Sequence, residues 1–108
     1  MADNLVFEGL SIAPGVLDTM VRLAVEQVKG VAGLGVGVRK TALARAVMIE
    51  ADEEGRLAVA VHVQAWLGEQ LRDLGLEIQA AIADALKSQL GVVAERIDVY
   101  IDGLAIPA

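Results

Sequence analysis

The stretch AVMIEADEEGRLAVAVHVQA, residues 46–65, contains two alternating runs joined by an acidic turn, and its reading decides the fold. In the first run Val47, Ile49 and Ala51 fall on one side, with Ala46, Met48 and Glu50 on the other. In the second, Leu57, Val59, Val61 and Val63 alternate with Ala58, Ala60, His62 and Gln64. A period of two marks half-buried strands. Between them DEEG, residues 52–55, supplies the acidic residues and closing glycine of a hairpin turn. The sequence therefore predicts an antiparallel hairpin from about Ala44 to Ala65, with its Val/Ile/Leu face turned to a core.

Outward from the hairpin the period changes. Downstream, Leu71, Leu74, Ile78, Ala81, Ile82 and Ala85 recur at helical spacing and predict a helix over 69–89, ended by Gly91. Gly75 lies inside it and is expected to mark a close packing contact. Ile97, Val99 and Ile101 then alternate with Asp98, Tyr100 and Asp102 as a last strand. Upstream, GLSI at 9–12 reads as a short strand running into Pro14, a residue suited to the first turn of a helix. Leu17, Met20, Val21, Ala24 and Val28 extend that helix to Lys29. VEQVKGV (25–31) and LKSQLGV (86–92) match each other, as in a duplicated β-α-β half. The expected fold class is α+β, in the order β-α-β-β-α-β. An antiparallel-rich sheet would carry both helices on one face, ferredoxin-like in outline.

Composition narrows the function. The 108 residues suit one domain, 1–108, with residues 1–8 as a loose N-terminal tail. The chain is 56% apolar but only 3% aromatic, so the core is built from small branched side chains. A net charge of −6 opposes binding to nucleic acid and to anionic lipid. There is no cysteine, which excludes disulfides, thiol nucleophiles and thiolate metal sites. No secretory signal or membrane span is visible, and the sequence points to the cytoplasm.

The glycines of GVAGLGVG, residues 30–37, follow a helix and precede a strand, the reverse of the order in a phosphate-binding loop. Gly30 is expected as a left-handed helix cap. His62 is the only histidine and has no second histidine or thiol with which to hold a metal. Asp52, Glu53 and Glu54 do not match a calcium loop and read as a solvated turn. No catalytic constellation and no cofactor site emerge. The open face of the sheet is more informative. It shows Met48, Ala58, Ala60, His62, Gln64 and Tyr100, flanked by Asp98 and Asp102. One tyrosine amid acids does not suit RNA, but a shallow, partly apolar face suits a protein contact. Leu23 and Leu76 lie off the buried helical stripes. The candidate partner surface is thus Met48, His62, Gln64, Tyr100, Leu23 and Leu76. The alternative is a small-ligand regulatory domain closing the Gly30–Gly37 loop over a metabolite.

Three stretches carry a family resemblance: GLSIAPGVLDTMVRLAVEQVKGVAGL (9–34), GEQLRDLGLEIQAAIADAL (68–86) and VAERIDVYIDGLAI (93–106). In their order and joint presence they resemble the alkaline shock protein and Gls-type group of envelope stress response proteins of Gram-positive bacteria. The resemblance implies a non-enzymatic, cytoplasmic protein linked to the envelope stress response or envelope homeostasis. It implies a homo-oligomer, or a protein that reaches the inner face of the membrane only through an anchor partner. It carries no catalytic residue onto this chain.

Overall fold

A computed structural model describes residues 5–7, 9–35, 46–54 and 56–107. Its elements are β1 (Leu5–Phe7), β2 (Leu10–Ile12), α1 (Pro14–Glu26), β3 (Val31–Leu34), β4 (Val47–Ala51), β5 (Leu57–Trp66), α2 (Leu71–Leu90) and β6 (Ala94–Ala105). The fold is α+β, with two helices against the apolar face of an antiparallel-rich sheet, ferredoxin-like in outline as expected.

β5 organises the sheet. Every second residue, from Leu57 through Val59, Val61 and Val63 to Ala65, is buried against the helices. Along one edge β4 pairs antiparallel with its first half (Val47↔Val61 to Ala51↔Leu57), and β3 pairs antiparallel with its end (Gly33↔Gln64, Leu34↔Val63). Along the other edge β6 runs parallel to its whole length, from Leu57↔Ala94 to Trp66↔Ala105. A parallel neighbour requires a crossover between the two strands, which α2 provides.

Two expectations are corrected at the N-terminal side. The strand at 10–12 forms, but it pairs with β1 as a separate two-stranded ribbon rather than entering the main sheet. Residues 5–7, assigned to a loose tail, are that partner strand. The sheet position left over is filled by β3, drawn from the glycine-rich segment. Reading of residues 36–45 falls outside the described residues.

Helix ends follow local chemistry. Pro14 opens α1 in its first turn, and α1 stops at Glu26, three residues short of the predicted end. The chain then turns tightly, with Val28 N–H donating to Val25 C=O and Val31 N–H to Val28 C=O. Gly30 is not a left-handed cap; it is absent from the positive-φ glycines Gly9, Gly35, Gly68 and Gly91. It is buried, and its missing side chain makes room for Leu74 in the first turns of α2 and for Glu69 just before it. Gly91 does cap α2 left-handed, at φ 68°, closing onto the carbonyls of Lys87 and Leu86. Gly75 has open space around its Cα, not the close contact expected of it.

The β4–β5 turn is held by Asp52. Its Oδ1 accepts from the backbone N–H groups of Arg56 and Glu54, both at 2.9 Å, and its Oδ2 from Arg56 Nε at 2.6 Å. The Arg56 backbone donor above all, with its guanidinium, holds the Asp52 carboxyl below the ordinary carboxylate value. A depressed folded-state pKa contributes stability that is present above the unfolded value and lost as pH falls through the folded one. Asp52→Asn is therefore expected to melt lower than the parent at neutral pH, with the gap closing in acid. Thermal melts from pH 7 down to pH 2 check this.

Candidate functional site

The alternate residues of β5 point away from the helices and lie half-buried on the open face. The pairing with β6 brings Ala58 beside Arg96, Ala60 beside Asp98 and His62 beside Tyr100. The rings of His62 and Tyr100 stack, with centroids 4.6 Å apart and planes 12° from parallel. Between the pairs Val63↔Ile101 and Gln64↔Gly103 the register shifts, and Asp102 is the extra residue of the bulge. That residue reaches His62, whose Nδ1 lies 2.6 Å from Asp102 Oδ2. An ionised carboxylate only accepts, so Nδ1 is the donor. The result is an oriented imidazole, braced by a carboxylate and lying flat on a phenol ring.

This arrangement is two-thirds of a general-base triad. Its described neighbours on the face are alanines, Met48, Gln64 and Tyr100, however, and none of these is a serine, threonine or cysteine nucleophile. Among the described residues no three His, Cys, Asp or Glu side chains converge to hold a metal. The chemistry this face supports is contact: an aromatic platform, an exposed Met48 on the neighbouring strand, and carboxylates at its rim.

The candidate surface residues do not form one patch. Met48, His62 and Tyr100 share the open face. Gln64 shares it too, but its Nε2 donates to Gly35 C=O at 3.2 Å, and its amide lies over Gly103, so it works as an internal tie. Leu23 lies on the opposite layer, in a groove of about 690 Å³ between α1 and α2 that also includes Val16, Ala24, Ala81 and Ala85. Leu76 is exposed on α2 outside that groove. Of the Gly30–Gly37 segment proposed as a ligand loop, residues 31–34 are a paired strand of the sheet, and 36–37 lie outside the described residues. Sequence reasoning placed Asp102 at the rim of the face and missed its bond to His62. The only signal was the glycine after it, which permits a bulge.

A family model for the alkaline shock protein 23 group, described by a cell envelope-related function, matches residues 4–106. The chain belongs to the alkaline shock protein 23 family. Comparison with curated proteins returns no significant match. Among solved structures, a His-to-Ala variant of MamM-CTD is similar at 12% identity and a TM-score of 0.54, covering 89% of this chain and all of that one. A Met-to-Leu variant of MamM CTD matches at 13% identity and a TM-score of 0.54, covering 82% and 95%. The copper form of an Asp-to-His variant matches at 12% and 0.54, covering 89% and 100%. At these identities the likeness concerns the fold alone. No helix among the described residues of this alkaline shock protein family member is long and apolar enough to cross a membrane.

Proposed function

We propose that this chain is a non-enzymatic interaction module in the cytoplasm of a Gram-positive cell. It serves envelope homeostasis or the envelope stress response by self-association, or by binding a membrane-anchor protein. The family's cell envelope-related function supports the setting. The observation that carries the mode of action is the open sheet face. It presents Tyr100 and Met48, both about half exposed, beside a His62 locked in place by Asp102. A stacked, half-exposed aromatic ring supplies contact area at low entropic cost and a flexible thioether adapts to the opposing surface, which suits a protein interface.

Light scattering over a concentration series, together with capture of partners on the immobilised chain, tests the reading. The expected result is a mass above that of the 11.3 kDa monomer, or a retained anchor protein, with either reduced by Tyr100→Glu. A strict monomer that retains no partner would overturn it.

A further inference from the structure

We infer that two copies of this chain join edge to edge through β6, antiparallel, about a two-fold axis at Val99, so that one sheet continues into the other. The inference rests on the self-association reading above and names its contact. Among the described residues β6 pairs with β5 alone, so the backbone groups along its other side have no strand partner, although Ile97 C=O, within the strand, accepts from Gln79 Nε2 at 2.9 Å. A long free edge is a template for another strand, and proteins blunt such edges with charged side chains, proline, bulges, a short strand or a covering element. β6 is twelve residues long and contains neither lysine nor proline. Its two register shifts, at Glu95 and Asp102, bracket a regular run from Arg96 to Ile101.

The side chains select the register. A two-fold axis perpendicular to the sheet keeps both open faces on one side, and each face must then oppose its own kind. Centred on Val99, the pairing sets Arg96 against the partner's Asp102, and Asp98 against the partner's Tyr100. Centred on Asp98, a carboxylate opposes itself; centred on Tyr100, Asp98 opposes the partner's Asp102. Like charges directly opposite destabilise a strand pair, whereas opposite charges stabilise it. Centres farther out shorten the overlap. The groups are available: His62 engages Asp102 through Oδ2, leaving Oδ1, and Asp98 engages Arg96 only through Nε.

Sedimentation velocity on charge-swapped variants tests the register. Arg96→Asp and Asp102→Arg are each expected to weaken self-association at least tenfold. An equimolar mixture should restore it, because both cross-pairs become opposite in charge in the heterodimer. Circular dichroism confirms that each variant is folded. Because the chain has no cysteine, single-cysteine variants provide a second readout. Val99→Cys is expected to oxidise to a dimer, and Tyr100→Cys, held off the axis, is not. Self-association indifferent to the swaps, with no Val99→Cys crosslink, overturns the edge contact while leaving the interaction reading intact. A monomer at every concentration also overturns it, and the interaction reading then depends on the captured anchor protein alone.

Discussion

Replacing Ile78 by alanine is expected to remove about 2–5 kcal/mol of stability, enough to lower the melting temperature by roughly 8–20 °C. Ile78 has no exposure to solvent and belongs to a row on α2, with Leu74, Ile82 and Leu86, that is closed against the sheet. The facing β5 residues are Val and Leu with one terminal Ala, and with few aromatic rings in the chain no large side chain can swing into the space. The loss therefore combines the transfer free energy of the deleted carbons with a cavity that cannot collapse. Urea unfolding followed by circular dichroism measures it. A loss below 1 kcal/mol would mean that α2 is not packed as described.

The second large effect concerns Gly30. A Cβ built there would lie 2.5 Å from Glu69 Oε1 and 2.8 Å from Leu74 Cδ1. Glu69 is exposed and can swing aside, but Leu74 is almost wholly buried and cannot. Gly30→Val is thus expected to cost about 1–3 kcal/mol through overpacking. It also presses on the carbonyl that accepts from Trp66 N–H, the bond tying the start of β3 to the end of β5. The partner of the collision can be identified by a cycle. Leu74→Ala alone destabilises, but combined with Gly30→Val the total should fall short of the sum, because the new methyls occupy the vacated space. Additive losses would show that Leu74 is not what Gly30 makes room for.

How much of this was legible depended on whether a signal was local. β4, β5 and α2 were readable because their periods of two and 3.6 run over many residues with one buried face each. β3 was not. Its four residues include Gly33, and it is a strand only because the far end of β5 offers a free edge, thirty residues along the chain. The strand at 10–12 was recognised, but nothing in its three residues says that it will pair with 5–7 rather than with the sheet. The end of α1 was overshot because Val28 and Lys29 keep the helical pattern while the chain is already turning. At the candidate site, Met48, His62 and Tyr100 followed from alternation alone. The contact of Asp102 with His62 did not, because it depends on a register shift between strands forty residues apart.

β5 is also the one member through which the whole sheet is joined, and this has a mechanical meaning. Any load passing from β3 or β4 to β6 must cross it, with no parallel route among the described strands. β3 grips only the last residues of β5 and would yield first; β6, anchored along the full strand, would yield last. If two copies are joined through β6, the strong seams lie between and within the central strands of the pair, and the weak ones hang at the periphery. Tension across such a pair would strip its margins before it parted its spine.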